Sequence, residues 1–430
     1  MSGKFHRRDF LKFVSAAGIA PALQGCGAFI RPSSPIAPRV VVLGGGFGGA
    51  TAARYLKLWG GDNIDVTLVE RNRTHVSCPQ SNLVLGGSMS INMLISGYEG
   101  LARHRIRVIN DAVNAIDSER NAVRVTRNDT PLQYDHLIVS PGIDFMFEEI
   151  PGMQSAAARR IIVPAWKAGN ETVDLRRQLE AMPDGGTCII SIPKQPYRCP
   201  PGPYERACQI ASYFRAHKAR SKLLVLDANE EIVSKKNLFL SAWRVLYPGI
   251  VDYLPNQEVR EVDIRTLAVK TDFDSFRADV INVIPPQRAG NITAAAGLIT
   301  ANNRWCGVDW QSMRSLVVPN IHVLGDATLS APAMPKSASM ANCHAKIAAA
   351  AILASVMGEQ IDQEPVITNT CYSYVSDSEA MHVNAVYRYD VVKKTFATVP
   401  GSGGLSPARS SAEKNYADAW ADNIRADSFG

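Results

Sequence analysis

The sequence predicts an α/β protein built from two βαβ domains, the first of them interrupted in sequence, with an α+β region at the C-terminus. An apolar strand at residues 40–43 breaks into glycines and leads into a helix-forming stretch and a second apolar strand. The same strand–helix–strand order returns at residues 187–227. An apolar run at residues 317–326 ends in Gly-Asp, which indicates a return to the first sheet. Alternating strands and helices are typical of parallel sheets covered by helices.

The first unit carries a glycine pattern that predicts a Rossmann-like dinucleotide site. The first strand is followed by the spaced glycines Gly44, Gly46 and Gly49. Such a turn lets the backbone approach a pyrophosphate, and the next helix, predicted over Ala50–Leu58, offers its first amides to the phosphate. The second strand, Asp65–Val69, ends in Glu70, where an acidic side chain accepts a ribose hydroxyl. A merely structural glycine turn would not explain Glu70.

The rest of the first unit reads as further strands. They are predicted at Ile106–Ile109, in a hairpin at Asn121–Thr126, and at Tyr134–Val139. The last strand stops at Ser140-Pro141-Gly142, a natural crossing point between domains.

The second unit is predicted to be a duplicated nucleotide-binding domain that no longer binds a nicotinamide dinucleotide. Its strands, Thr187–Pro193 and Lys222–Asp227, flank a helix over Tyr204–His217. The connection at residues 194–203 holds four prolines and lacks the glycine spacing. Proline removes amide donors that a second dinucleotide would need. The loop still lies at the carboxyl end of a parallel sheet, where chemistry is usually done.

The returning strand ends at an aspartate that indicates a flavin. In two-dinucleotide flavoproteins, which this pattern resembles, an aspartate at the position of Asp326 contacts the ribityl chain. A helix over Ser337–Leu353 follows, and its positive end would favour an anionic reduced flavin ring. Lys336, beside that end, either helps to hold this anion or is a solvated surface lysine.

These units divide the chain into five predicted parts. They are an export signal (1–35), a first part of the FAD-binding domain (36–160), a second Rossmann-like domain (161–290), a second part of the FAD-binding domain (291–360) and a C-terminal flavin-binding and interface domain (361–430).

The leader reads as a twin-arginine export signal. Arg7 and Arg8 precede a charge-free stretch, Phe13–Ile30, that is too weakly apolar for a membrane span. A periplasmic location is therefore predicted, with lipidation at Cys26 left open. Residues 1–35 carry most of the formal net charge of +6. The nearly neutral remainder argues against a nucleic-acid partner, and no other segment is predicted to span a membrane.

The cysteines are more informative than their count. Eight occur in the chain, and the one in the leader leaves seven. An odd number indicates that one thiol has a separate role, for which Cys78 is the candidate, and the other six allow fifteen pairings. Cys343-His344 is not a haem attachment motif, because Met340 stands where its first cysteine would be. No haem is expected on this chain, and the histidines show no metal-ligand spacing.

Several segments together resemble the flavoprotein subunits of flavocytochrome c sulfide dehydrogenases over essentially the whole chain. The specific segments are RCPPGPYERA at 198–207 and NTCYS at 369–373, supported by VVVLGGGFGGATAARYLK, the Cys78-x-x-Ser81-Asn82 segment, VINVIPPQRAG at 280–290, IHVLGDA at 321–327 and the terminal WADNIRADSFG. The implied fold is the glutathione-reductase type, with two Rossmann-like domains.

The resemblance also implies a chemistry. FAD would be bound through a thioether between Cys78 and the flavin 8α-methyl group, and a redox-active disulfide would join Cys199 to Cys371. Glu205 falls where an acid or base would act, although an acidic residue at a helix N-terminus has the same pattern. Hydrosulfide would reduce the disulfide and then FAD, and electrons would pass to a haem c cytochrome subunit in a heterodimer. The cations Lys194, Arg198 and Arg206 either attract the anionic substrate or are solvated loop residues.

Three alternatives stay open from the sequence. A sulfide:quinone reductase shares the fold and a cysteine pair, but the tail at residues 402–430 lacks a sustained apolar face for a membrane. A related flavoprotein could use another reduced-sulfur substrate, and a non-catalytic flavin carrier would only support a cytochrome. A NAD(P)H-dependent reductase is disfavoured by the proline-rich loop.

Overall fold

The computed structural model describes residues 37–430, which form one compact unit. The predicted export signal, including Arg7, Arg8 and Cys26, lies outside the described residues. Since the described chain is not divided further, the domain boundaries drawn from the sequence stay predictions.

The helices of the described residues follow in chain order. They are α1 Phe47–Gly60, α2 Ser81–Gly86, α3 Glu99–Arg103, α4 Ala156–Ile161, α5 Asn170–Ala181, α6 Gly202–His217, α7 Lys236–Leu246, α8 Asn291–Ala295, α9 Ala338–Met357 and α10 Ser411–Phe429.

The strands are mostly short. They are β1 Arg39–Leu43, β2 Asp65–Val69, β3 His75–Val76, β4 Ile95–Ser96, β5 Arg107–Ile109, β6 Val113–Asp117, β7 Ala122–Val125, β8 Asn128–Gln133, β9 His136–Val139, β10 Ile143–Phe145, β11 Thr187–Ile192, β12 Lys222–Asp227, β13 Val251–Leu254, β14 Val259–Asp263, β15 Ala268–Thr271, β16 Ser275–Arg277, β17 Val280–Val283, β18 Gln287–Ala289, β19 Val308–Asp309, β20 Arg314–Ser315, β21 Ile321–Val323, β22 Val366–Tyr374, β23 Ala380–Asp390, β24 Thr395–Thr398 and β25 Gly404–Leu405.

The largest sheet joins two distant parts of the chain. Its order is β19-β20-β21-β9-β1-β2-β5, and β1 runs parallel to both β2 and β9. Val42 pairs with Leu68 on one side and Ile138 on the other, and all three are fully buried. Such all-apolar strands are expected where helices cover both faces of a parallel sheet. The returning strand β21 pairs with β9, so the α/β fold with an interrupted first sheet is confirmed.

The second parallel sheet has the order β13-β12-β11-β17. Its βαβ unit is β11-α6-β12, with Thr187 in register with Lys222 at one end and Ile192 with Asp227 at the other. Helix α6 starts at Gly202, with Pro203 in its first turn, where a missing amide costs nothing. The proline-rich loop therefore ends directly at the carboxyl edge of this sheet.

The C-terminal region is tied to the first domain. Strands β22, β23 and β24 form an antiparallel sheet, and α10 reaches back to α1 and α9. Asp427 accepts hydrogen bonds from the Tyr55 hydroxyl at 2.6 Å and the Asn342 amide at 2.8 Å, and Thr51 and Ser428 share a hydrogen bond of 2.9 Å. These contacts fix β22 and α10 beside the first sheet.

Helix α9 is the single described helix that is long and apolar enough to cross a membrane. Of its most apolar window, 61% is buried inside the protein. Ala348 and Ile352 are fully buried in the main hydrophobic core, so α9 packs as a core helix.

Candidate functional site

A cavity of about 1260 Å³ opens at the carboxyl edge of the first sheet. Eight of the predicted site residues line it: Gly44, Gly46, Glu70, Cys78, Cys199, Glu205, Asp326 and Cys371. The two that do not are Gly49 and Lys336. Segments far apart in the chain thus contribute to one site, as the resemblance implied.

The glycine turn needs its glycines for three different reasons. Gly44 has a φ of +94°, and a Cβ there would lie 2.3 Å from the Ser140 carbonyl oxygen. A Cβ on Gly49 would lie 1.9 Å from the Gly44 carbonyl oxygen, so this glycine permits close helix–strand packing. A Cβ on Gly46 would meet no protein atom within 4 Å, because the position faces the cavity.

Glu70 is bound to the same turn. Its carboxylate accepts hydrogen bonds from the Gly45 amide at 2.7 Å and the Asn72 amide at 2.8 Å. The carboxylate therefore orders the loop around the cavity and still lies on the cavity wall.

Asp326 and Lys336 lie at different depths. One carboxylate oxygen of Asp326, Oδ1, is buried with no hydrogen-bond partner in the described part of the chain. Lys336 lies behind it: Nζ donates to the Asp326 carbonyl at 3.1 Å and lies 3.7 Å from the centroid of the Trp305 ring. Burial lowers the pKa of Lys336 to about 7. Lys336 is 4% exposed, so it is not a solvated surface lysine. Its predicted role in holding a reduced flavin anion stays a prediction.

The two cysteines implied by the resemblance meet at the cavity wall. Cys199 precedes α6 with a φ of +57°, and its amide donates to the Lys336 carbonyl at 2.8 Å. Cys371 lies on β22, 9% exposed, with Sγ 3.4 Å from the Asn369 amide nitrogen. Both are free thiols in this structure, so the disulfide itself stays a prediction.

The electrostatics of the two thiols differ. Burial raises the pKa of Cys199, the neighbouring Cys371 and Glu205 raise it further, and Arg198 and Lys235 lower it. Burial also raises the pKa of Cys371, but Lys235 lowers it, as do hydrogen bonds from Asn369 and Ser337. Cys371 therefore has more groups around it that favour the thiolate.

Glu205 is a buried acid and not a solvated charge. It lies in the first turn of α6 and is 6% exposed. Burial raises its pKa to about 7, against the lowering effects of Lys235, the Tyr374 backbone and Asn82. A carboxyl group that titrates near neutrality can exchange protons at working pH.

Two buried cations near the thiols, Arg206 and Lys235, have placements that the sequence did not predict. Arg206 is 2% exposed, and its guanidinium donates to Asn82 at 3.1 Å and Asn282 at 2.7 Å as well as to backbone carbonyls. Four of its five N–H groups are engaged in these bonds, so Arg206 holds the site together. Lys235, which sequence reasoning missed, is buried beside Cys371, whereas the adjacent Lys236 is exposed. Nothing in the Ser-Lys-Lys sequence distinguishes the two.

The acidic residue at the end of β12 is satisfied within the chain. Asp227 ends β12, where a dinucleotide-binding domain holds the ribose. Its carboxylate accepts hydrogen bonds from the hydroxyls of Tyr204 at 2.7 Å and Tyr253 at 2.9 Å. Asp227 is fully buried, so the chain's own tyrosines occupy this acceptor.

Three family models match the chain in succession. Pyridine nucleotide-disulphide oxidoreductase matches residues 38–172, the central part of the sulfide dehydrogenase (flavocytochrome c) flavoprotein chain matches 172–285, and flavocytochrome c sulphide dehydrogenase, flavin-binding, matches 363–429. A sulfide dehydrogenase flavoprotein chain from Chlorobaculum thiosulfatiphilum is 56% identical over 46 residues, which are 11% of this chain and 94% of that sequence.

More distant relatives share the fold. The mitochondrial sulfide:quinone oxidoreductase of Mus musculus is 22% identical over 67% of this chain, and the match spans 65% of the relative's length. The mitochondrial sulfide:quinone oxidoreductase of Dictyostelium discoideum has the same identity and the same coverage of both sequences. The crystal structure of the sulfide:quinone oxidoreductase from Aquifex aeolicus superposes with a TM-score of 0.71, covering 91% of this chain and 92% of that one, at 17% identity.

The cavity fits a flavin dinucleotide. Gly46 leaves room for a pyrophosphate at the start of α1, and the unpartnered Asp326 Oδ1 provides a buried acceptor for a ribityl hydroxyl. Cys78 lies on the same wall and could hold one end of the ring.

Gly46→Val should reduce the FAD content of the purified protein at least about fivefold, because its side chain would enter the cavity and not the protein core. The measurement is flavin absorbance per polypeptide, with circular dichroism as the test of folding. Gly404→Val is the matched control, since Gly404 also has open space around a Cβ but does not line the cavity. Normal flavin content in Gly46→Val would contradict this placement of the cofactor.

Proposed function

This chain belongs to the flavocytochrome c sulfide dehydrogenase flavoprotein family, and we propose that it oxidises hydrosulfide through a Cys199–Cys371 disulfide and passes the electrons to a haem c subunit. The observation that carries the proposal is the meeting of these two thiols, 172 positions apart in sequence, on the wall of the flavin cavity. Bound FAD supplies an acceptor that takes up an electron pair and releases electrons singly.

The first chemical step is thiol–disulfide exchange. Hydrosulfide attacks one sulfur of the disulfide, a new S–S bond forms, and the old one breaks to give a persulfide and a thiolate. The sulfur with the lower pKa leaves faster. Hydrogen bonds from Asn369 and Ser337 favour the thiolate of Cys371, so the persulfide forms on Cys199.

Glu205 manages the proton of this step. The persulfide formed from hydrosulfide carries one proton, and Glu205 lies near enough to both thiols to influence their pKa values. Because its own pKa is raised to about 7, its carboxylate can accept that proton near neutral pH.

Two cavities reach the cysteine pair from different sides. A second cavity of about 410 Å³ is lined by the proline-rich loop, by Met334 and by Cys371. Cys371 is shared by the two cavities. Cys199 lines only the larger cavity, so hydrosulfide reaches the sulfur that it attacks from the flavin side.

The haem c subunit docks beside Cys78. Trp420 of α10 lines the large cavity together with Cys78, and Tyr416, one turn before it, is 60% exposed. Met93 is 62% exposed and is tied to α10 by a 2.5 Å hydrogen bond from Arg425 to its carbonyl oxygen. Exposed aromatic and methionine side chains of this kind are enriched at interfaces.

The site of this reaction is the periplasm. The Arg7-Arg8 leader supports export by the twin-arginine route, which carries proteins already folded around their cofactors.

Cys199→Ser and Cys371→Ser should each lower the rate of sulfide-dependent flavin reduction at least about a thousandfold, because neither can form the disulfide. Stopped-flow bleaching of the flavin under anaerobic conditions measures the rate. Cys343→Ser is the control, since Cys343 lines neither described cavity and bonds only to the Thr368 carbonyl oxygen. Unchanged bleaching in Cys199→Ser would refute the disulfide mechanism, and bleaching by NADH would favour a nicotinamide-dependent reductase.

Acid precipitation should leave the yellow colour with the protein pellet, because a thioether to Cys78 survives acid and a non-covalent complex does not. Cys78→Ser should release the flavin into the supernatant while it retains the fold. Release of flavin from the unaltered protein would rule out covalent attachment and leave Cys78 as a wall residue.

The preferred electron acceptor should be a c-type cytochrome and not a quinone. Steady-state assays with sulfide should show faster reduction of cytochrome c than of a soluble quinone analogue. Trp420→Ala should slow cytochrome reduction about tenfold without slowing flavin bleaching by sulfide. Faster quinone reduction would instead favour the sulfide:quinone reductase alternative.

A further inference from the structure

Lys235 is a buried cation that the reaction steps above leave without a role of its own. It is 3% exposed and precedes α7 with a left-handed backbone, φ +56°. Its Nζ donates to the carbonyl oxygen of Cys371 at 2.8 Å. Within residues 37–430 it forms no ion pair. A buried ammonium group is costly unless an anion compensates it.

Four ionisable groups face Lys235 from the elements around it. They are Cys371 on β22, Glu205 on α6, Cys199 in the preceding loop and Glu413 on α10. Burial lowers the pKa of Lys235 to about 8, and these four groups raise it. Glu413 already has a partner in His382, whose Nδ1 lies 2.7 Å from its carboxylate. Within residues 37–430, the one hydrogen bond that Lys235 Nζ donates goes to the backbone of Cys371.

We propose that Lys235 is a positioning residue that stabilises the Cys371 thiolate when hydrosulfide opens the disulfide, an inference that rests on the proposed function. In this step the S–S bond breaks, its electron pair stays on Cys371, and Lys235 keeps its proton. No oxidant or further reactant is needed. The buried charge of Lys235 then has its anion, and Cys199 is the sulfur left to receive the substrate.

The carboxylate of Glu205 could compete for the same cation. Its raised pKa of about 7 makes it a weaker competitor when it is protonated, and its negative charge opposes the thiolate of Cys371. Proton uptake by Glu205 and thiolate formation on Cys371 therefore support each other, with Lys235 between them.

The test follows the reactivity of Cys371 in the reduced, FAD-loaded protein, without sulfide. Iodoacetamide reacts with thiolates and not with thiols. The rate of Cys371 alkylation across pH 6–10, read from peptide mass spectrometry, reports how much thiolate is present. Lys235→Gln can keep a hydrogen bond to the Cys371 carbonyl but removes the charge. It should cut the alkylation rate at pH 8 about tenfold and move the pH midpoint upward.

The controls separate charge from structure. Lys235→Arg should stay within about twofold of the unaltered protein, as should Lys236→Met, which alters an exposed lysine paired with Glu231. If Lys235→Gln loses FAD or melts early, Lys235→Met with Lys235→Arg as its charge-retaining partner makes the same comparison. An unchanged Cys371 midpoint in the uncharged variant, or an equal shift in Lys236→Met, would overturn the proposal.

A wrong role for Lys235 can be distinguished from a wrong disulfide mechanism. Sulfide-dependent bleaching in Cys199→Ser tests the disulfide, whereas alkylation of Cys371 tests Lys235 without any substrate.

Discussion

The junction between Lys336 and Ser337 holds the candidate site together. On one side the Lys336 carbonyl accepts the amide of Cys199 at 2.8 Å. On the other side the Ser337 hydroxyl bonds to Asn369 at 2.8 Å, two residues before Cys371. Ser337 also caps α9 by accepting the Met340 amide at 3.0 Å. Two segments distant in sequence are thus fixed to one helix N-terminus, and the relative position of the two thiols depends on it.

The charges around the cavity explain why the site is prepared for an anionic reaction. Arg198, Glu205, Lys235 and Asp326 all line or adjoin the cavity. Burial shifts the pKa of Glu205, Lys235 and Asp326 toward the neutral form, whereas Cys78, Asp326 and Cys199 raise the pKa of Arg198 against burial. Fixed charges in such a low-dielectric region act strongly on one another. The free-energy cost of burying these charges is therefore met when the protein folds, before the substrate binds. The thiolate formed in the reaction then lies beside a cation, Lys235, that is already in place.

The sequence was sufficient for the parts of the fold that depend on local pattern. The glycine spacing, the strand Asp65–Val69 and the helix after Pro203 are confirmed within a few residues, because turn chemistry and apolar runs are properties of neighbouring residues. The placement of side chains was harder. Lys336 and Lys235 are buried by contacts from segments far along the chain, and Lys236 beside them is exposed. No local sequence signal distinguishes the buried lysines from the exposed one. The number of cysteines likewise could not show which two form a pair.

The two βαβ units show how one arrangement supports two different roles. In the first, glycines open the carboxyl edge of the sheet so that backbone amides meet a phosphate. In the second, prolines close that edge, and Tyr204 and Tyr253 satisfy the Asp227 carboxylate. The loop of this second unit holds Cys199 in a left-handed conformation that directs the chain into α6. The same proline-rich segment thus positions a thiol, and the loss of a second dinucleotide from this unit stays a prediction.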